Sequence, residues 1–324
     1  MNTDRPTLTV LICTHNRAEL LLRTLHYLNA AQRPQDWQVQ ILVVLNACSD
    51  TSREKLCQLQ QQDPDGLPLE WIEEPVPGKS HALNRAIPRI AADLVAFVDD
   101  DHRVDADYLT NACASAEKYP DMDLFCGRIL PDWDGTEPHW VHDTGPYRIY
   151  PLPVPRFDQG ETPLHLTPEI AIPGGGNLFL RGTWFARVGL FSTRLGPTGH
   201  DLEGSEDLDW IIRAQRLGAR LQYVPSVVQY HYVDLDRRKL GYLLKKAYKR
   251  SGATVGIRNP VDGHVPRYLY RKLASYLLSA LLSLRPDRRR FYLVRTAAAL
   301  GEMKGHRQQA DRSGTIGDNS IEND

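Results

Sequence analysis

What this 324-residue chain lacks narrows its reading before any motif is considered. No run approaches the roughly 20 apolar residues that cross a bilayer; the apolar stretch from Leu273 to Leu284 is 12 residues and too short to span. The five cysteines, Cys13, Cys48, Cys57, Cys113 and Cys126, are odd in number and form no CxxC pair, so a disulfide framework is not expected and free thiols in a reducing compartment are. The polar N-terminus shows no secretory leader and runs directly into a strand pattern, which predicts a cytoplasmic protein. Internal repeats are absent, and no complete P-loop pattern occurs. Excess charge of one sign is also missing, since the net charge is −1.

That near-neutral balance hides an asymmetry. Between Asp236 and Arg307 there are 18 Lys and Arg against 4 Asp and Glu, whereas the rest of the chain holds 21 basic and 36 acidic residues. An acidic body thus carries a basic extension, and such a split points to an anionic partner for the extension. No recognition motif accompanies the charge, so nucleic acid is not the expected partner.

The first hundred residues alternate strand and helix signals. Leu8–Cys13 and Val39–Leu45 are largely apolar strand-like runs, and Leu69–Ile72 and Leu94–Val98 are shorter ones. Between them, Leu21, Leu22, Leu25 and Leu28 recur at helical spacing, Thr51–Gln62 reads as a polar-faced helix, and Ser80–Ala92 reads as a helix capped by Ser80. This alternation predicts an α/β fold with a mostly parallel sheet and crossover helices. Residues 131–176 are rich in Pro, Gly, His and aromatics without a sustained period and read as an irregular loop region. Further strands are expected at Asn177–Leu180 and Leu221–Val224, with a helix from Glu206 to Leu217 closed by Gly218. The expected organisation is an α/β domain over 1–235, divided near 110 into two halves, then a basic helical extension over 236–306 and a polar, disordered tail over 307–324.

The most informative motif is Asp99-Asp100-Asp101 at the end of the fourth apolar run. Consecutive carboxylates at a strand's end need a cation or a hydrogen-bonding network. Ligands in open α/β sheets gather beyond the carboxyl ends of the strands, and hard divalent cations favour carboxylate oxygens. A metal site for a phosphate-bearing ligand and a solvated acidic turn are both consistent with the triplet alone. Thr14-His15-Asn16-Arg17 follows the first strand, where backbone N–H groups and an arginine can meet a nucleotide, or where Asn16 can simply cap a helix. Asn46–Asp50 follows the second strand and suits either a base- or ribose-facing loop or a plain Asx turn. Lys79, in Pro77–Asn84, could approach a diphosphate or sit in solvent. Gly174–Gly176 allows close backbone approach to a ligand. Glu206-Asp207-x-Asp209 opens a helix, as an N-terminal cap or as a general base. His231, after a late strand, is a candidate metal ligand beside the aspartates.

Taken in order, these segments resemble glycosyltransferase family 2, whose members have the GT-A fold. The series runs Thr-x-Asn-Arg, Asn46–Asp50, Pro-Gly-x-Ser-x-Ala-x-Asn, the Asp triplet, Gly-Gly-x-Asn, Glu-Asp-x-Asp, and Gly-x-Arg-Leu-x-Tyr-x-Pro at Gly218–Pro225, and it covers roughly residues 7 to 232. The resemblance implies a nucleotide-sugar donor, UDP-linked before other bases, and a divalent cation, Mn²⁺ or Mg²⁺. It places Thr14, Arg17, Asp99 and Asp100 around the nucleotide, with Asn16, Asn46 and Lys79 of the neighbouring loops as further candidates, so that residues 1–110 of a catalytic domain would form its nucleotide-sugar half and 111–235 its acceptor-side half. It implies a metal held by the aspartate cluster through Asp101 with Asp99, beside which His231 is the candidate further ligand, and Asp207 as catalytic base with Glu206 as its neighbour and alternative. Many members carry an aspartate after the second strand where this chain has Leu45, so Asn46 would take over the contact to the base.

The implied reaction is an inverting transfer of sugar to a hydroxyl of a saccharide or lipid-linked acceptor, in polysaccharide or glycolipid synthesis. A non-catalytic nucleotide-sugar-binding or scaffold member of the same fold is the alternative. For the basic segment 237–290, an amphipathic stripe of Leu240, Leu243, Leu244, Ala247 and Tyr248 and the flanked apolar stretch fit two roles. One is docking on an anionic membrane surface, which would make the protein peripheral on the cytoplasmic face; the other is a helical bundle with a wet basic side.

Overall fold

The computed structural model describes residues 5–142, 144–195, 206–258 and 264–317. They group into two compact units, one of residues up to 132 together with 155–232, the other of 133–154 together with the residues from 233 onward. Segment 133–154, which the sequence reading assigns to the acceptor-side half, therefore belongs with the C-terminal helices.

The first unit opens with β1 (Thr7–Thr14), α1 (Ala18–Ala30), β2 (Gln38–Asn46), α2 (Ser52–Gln62), β3 (Leu69–Glu74), α3 (Lys79–Ala86) and β4 (Leu94–Phe97). It continues with β5 (His102–Val104), α4 (Tyr108–Lys118), β6 (Leu124–Asp132), β7 (Leu164–Leu166), β8 (Leu178–Arg181), α5 (Trp184–Val188), α6 (Glu206–Arg216) and β9 (Leu221–Tyr232). Nine strands form one sheet in the order β3-β2-β1-β4-β8-β6-β9-β5, with β7 also paired to β9.

The pairs β1–β2, β1–β4, β2–β3 and β6–β9 are parallel, whereas β4–β8, β6–β8, β5–β9 and β7–β9 are antiparallel. The sheet is mixed, and the expected mostly parallel arrangement holds only for its first half. A strand buried on both faces reads as the same apolar run in either direction, so direction is set by the connections and not by composition.

Side-chain alternation splits the core into two layers. Leu8, Val10 and Ile12 of β1 face one side, with Leu21, Leu25 and Leu28 of α1 and Tyr108, Leu109 and Ala112 of α4. Leu11 of β1 and Leu42 and Val44 of β2 face the other, with Leu83 and Ala86 of α3 and Trp210, Ile211 and Ala214 of α6. Trp210 is wholly buried, stacks on Phe191 at 5.5 Å, and donates its indole N–H to Gly189 O.

Two boundaries differ from expectation. α3 ends at Ala86 and passes into a 3₁₀ turn at Ile87–Arg89, because Pro88 cannot extend an α-helix. Ser80 is not its cap: Gly78 takes that position, and the Ser80 hydroxyl donates to Ser192 O. Gly218, with φ of 93°, closes α6 as its spacing implies.

In the second unit, α7 (Leu240–Arg258), α8 (Arg267–Leu281) and α9 (Pro286–Gly317) form a helical group. Leu243 and Ala247 of α7 and Val294 of α9 are buried together with Ile149. Arg238 fixes the start of this unit by a bidentate pair with Asp134, at 2.7 and 2.9 Å. The expected disordered tail is helical as far as Gly317, where its Gln, Ala and Arg residues retain reasonable helix propensity; 318–324 lie outside the described residues.

Candidate active site and metal centre

The parallel register of β1, β2 and β4 brings their carboxyl ends to one edge of the sheet. Thr14, Asn46 and Asp99 therefore emerge side by side. Because β8 runs antiparallel beside β4, with Ala96 opposite Phe179, the Gly174–Asn177 segment enters at this same edge. At the far side of the sheet β5 pairs with β9 so that His102 lies opposite His231. The chain thus assembles residues more than a hundred positions apart.

The three aspartates have separate partners. Asp99 pairs with Lys79 Nζ at 2.7 Å. Asp100 accepts hydrogen bonds from Thr14 Oγ1 at 2.7 Å and Arg17 Nη1 at 3.1 Å. Asp101 accepts from the same Arg17 nitrogen at 3.1 Å and faces His231 Nε2 at 3.8 Å. Burial would raise all three carboxyls. Against it, the Lys79 ammonium holds Asp99 well below the ordinary range, and His231 and His102 hold Asp101 down. Asp100 is raised, by burial first and by the charge of Asp101 second. Asp99, Asp100 and Asp101 are therefore neither a solvated turn nor equivalent to one another.

His102 was not singled out by the sequence reading, and it completes the cluster. One donor atom each from Asp101, His102 and His231 lies within 4.8 Å of the other two, and all three residues are buried. The hydrogen-bond network fixes the imidazole tautomers. Gln229 Nε2 donates to Phe97 O at 3.0 Å, so Gln229 Oε1 must be the atom that meets His102 Nδ1 at 2.5 Å, and Nδ1 carries the proton. His231 Nδ1 meets the carbonyl of Tyr232 at 2.8 Å and is likewise the protonated nitrogen. Each ring therefore turns Nε2 towards Asp101. Orientation of this kind, with the remote N–H held by an amide or a carbonyl, is how imidazoles are set for metal ligation. His102 Nε2 is buried without a hydrogen-bond partner, and it lies 3.8 Å from Asp99 Oδ2 and 4.0 Å from Asp101 Oδ1. The nitrogen and oxygen donors suit a divalent cation. Its signal in the sequence was adjacency to the triplet, but its partnership with His231 depends on strand register.

A pocket beside this cluster is lined by Lys79, Asp99, Gly175, Glu206 and Asp207, with Leu83, Phe97 and Phe191 as apolar wall. Asp207 Oδ2 accepts from Gly175 N–H, and Oδ1 accepts from Leu208 N–H at 2.7 Å. A Cβ on Gly175 would lie 3.0 Å from the Asp207 carboxylate, and one on Gly176 would lie 2.9 Å from Asp99 Oδ2. The glycines thus let backbone lie between the two acidic groups. Glu206 is buried, and its Oε2 has no partner. Burial pushes its carboxyl up to about 7, against the pull of Lys79 and with the repulsion of Asp207. Burial likewise pushes the Cys13 thiol, on the pocket wall, up to about 12.

Two expected nucleotide residues are occupied with the loops themselves. Asn46 is buried; its amide donates to Glu74 O and Val76 O, and its Oδ1 accepts from Gly78 N–H at 2.8 Å. Asn16, with φ of 53°, accepts from the backbone N–H groups of Ser49 and Asp50. Both side chains brace the loops that surround the sheet edge.

The family model of glycosyl transferase family 2 matches residues 9–188. The succinoglycan biosynthesis protein ExoM of Rhizobium meliloti (strain 1021) is 25% identical over 246 residues, which are 76% of this chain and 72% of ExoM. Among solved structures, the mannosyltransferase PcManGT from Pyrobaculum calidifontis, in complex with GDP-Man and Mn²⁺, aligns with a TM-score of 0.54 and 19% identity over 99% of this chain and 89% of that one. S. aureus TarS 1-349 in complex with UDP aligns at 0.52 and 14%, over 95% and 92% of the two chains. The mixed sheet with flanking helices is the GT-A architecture of these enzymes, and the chain belongs to glycosyl transferase family 2.

Proposed function

We propose that this glycosyltransferase is a metal-dependent, inverting enzyme. It moves a sugar from a nucleoside-diphosphate donor to a hydroxyl of a saccharide or lipid-linked acceptor, in the synthesis of a polysaccharide or glycolipid. The observation that carries this reading is the pocket in which Lys79, Asp99 and Asp207 meet, bordered by the Asp101–His102–His231 cluster.

Asp101, His102 and His231 would hold the cation, with Asp99 at its margin; when bound, the cation supplies Lewis-acid neutralisation of the departing diphosphate. Thr14 and Arg17 hold Asp100 and Asp101 in place. Lys79, kept fully charged by Asp99, adds positive potential on the pocket side. Asp207 accepts the acceptor's hydroxyl proton as that oxygen attacks the anomeric carbon. Backbone N–H donors from Gly175 and Leu208 orient its carboxylate for this, leaving the remaining lone pairs for the hydroxyl. Glu206, which burial raises to about 7, is partly protonated near neutrality and so adds less negative charge beside the base than a full carboxylate would.

UDP-sugars are the first donors to test and GDP-sugars the second. TarS is seen with UDP and PcManGT with GDP-Man, and this chain has the buried Leu45 ahead of Asn46. The ExoM likeness supports a polysaccharide pathway. Incubating the protein with nucleotide sugars, Mn²⁺ and an acceptor extract should release nucleoside diphosphate. Release that Asp207→Asn leaves at the wild-type rate would refute the base, and absence of release from every donor would favour the non-catalytic alternative.

A further inference from the structure

We propose that the α8–α9 turn is a docking site for an anionic lipid surface. At the C-terminal end of α8 and in the turn that follows, Leu277, Leu278, Leu281, Leu282 and Leu284 are exposed, rising to 77% for Leu281 and 99% for Leu284. Leu277, Leu278, Leu281 and Leu282 share one helical face by their i, i+4 spacing, and Tyr270, 49% exposed, lies on the same side about two turns before Leu277. Scattered exposed leucines need no explanation, but a contiguous set of this kind marks a contact surface.

Charge around the patch selects the partner. From His264 to Arg290 there are seven Lys and Arg and one acidic residue, Asp287, which is already paired with Arg285 at 2.8 Å. Arg285, Arg288 and Arg289 are exposed directly after the leucines, and Arg267 and Arg271 are exposed on the earlier turns of α8. Apolar side chains ringed by cations, with a tyrosine at the margin, match the boundary between acyl chains and anionic headgroups, where arginines can reach phosphates while leucines enter the hydrocarbon. A second copy of the same surface would set cationic rim against cationic rim, which disfavours self-association. No helix among the described residues is long and apolar enough to cross a membrane, so the contact is one of lying on the surface.

The test is flotation of the full-length protein with vesicles of phosphatidylglycerol and phosphatidylcholine in equal parts, and with phosphatidylcholine alone. Wild type should float with the anionic vesicles, float at least about tenfold less with the neutral ones, and dissociate as salt is raised. The double variants L281D/L282D and R288E/R289E should each lower anionic-vesicle binding about tenfold or more, while both keep the wild-type circular dichroism and a melting temperature within a few degrees of wild type. The proposal is overturned if wild type fails to float with anionic vesicles or if the leucine variant floats as well as wild type. It is also overturned if sedimentation shows a dimer that L281D/L282D dissolves. Because the readout is vesicle binding, it stands or falls separately from the proposed chemistry.

Discussion

The two acidic groups at the sheet edge differ in how their charge is met. Asp99, Asp100 and Asp101 each have a cationic or hydroxyl partner within 3.1 Å, drawn from two different parts of the chain, the β1–α1 loop and the start of α3. Glu206 and Asp207 lie at the start of one helix with backbone N–H groups as their principal donors, and Glu206 keeps an unpartnered oxygen. Fixed cationic and hydroxyl partners suit a carboxylate cluster to holding a ligand. A carboxylate oriented mainly by backbone N–H groups is suited to receiving a proton. The difference argues for a division of labour: donor and metal on the triplet, proton transfer on the pair.

The comparison can be broken most decisively at Asp207. Asp207→Asn should lower turnover by roughly 10²–10⁴-fold while donor affinity, measured by calorimetry, stays within about twofold. An equal loss in both quantities would erase the division. Asp101→Ala should do the reverse, weakening Mn²⁺-dependent donor binding by at least about tenfold; unchanged affinity with and without Mn²⁺ would remove the metal role from the triplet. A smaller effect is expected at Gln229, which holds the His102 tautomer. Gln229→Met should weaken Mn²⁺ affinity by about tenfold, read from the free-ion signal in paramagnetic resonance, with His102 and His231 intact.

The smallest effect sharpens the other side. Burial raises the Glu206 carboxyl to about 7 in the folded protein, above the ordinary 4.5 of a glutamate, so the folded protein binds this proton more tightly than the unfolded chain. Its contribution to stability is therefore full below about pH 4.5 and is lost as pH rises through 7. In metal-free buffer, Glu206→Gln should raise the melting temperature by a few degrees at pH 8.5 and leave it nearly unchanged at pH 4.5. A gain of equal size at both pH values would show that the side chain acts through packing instead of charge.

The same contrast between local and distant information decides what the sequence could reveal. The elements from β1 to β4 were legible because each is a local pattern: an apolar run, then leucines at helical spacing. α4 was not, because its buried face is made of small residues, Ala112, Cys113 and Ala116, between Leu109 and a polar end. β9 was seen only in its first four residues, since Pro225 and Ser226 interrupt the run and mark the irregular pairing with β6. The insertion of β8 between β4 and β6 left no trace in composition. Of the site, the carboxylates were visible as a triplet and a pair. The imidazole of His102 was hidden, because its meaning comes from the register that sets it opposite His231 and from a glutamine 127 residues away. Asn46 shows the opposite case: a polar residue in the expected place whose hydrogen bonds the neighbouring loop consumes.

The central claim, a cation-assisted nucleotide site at this edge, is tested most directly by thermal shift with UDP and GDP, each with and without Mn²⁺. The account predicts that a nucleoside diphosphate raises the melting temperature of the wild type only when Mn²⁺ is present, and that Asp101→Ala abolishes the shift while Asp207→Asn keeps it. A shift of the same size without metal, or no shift with any nucleotide, would contradict it.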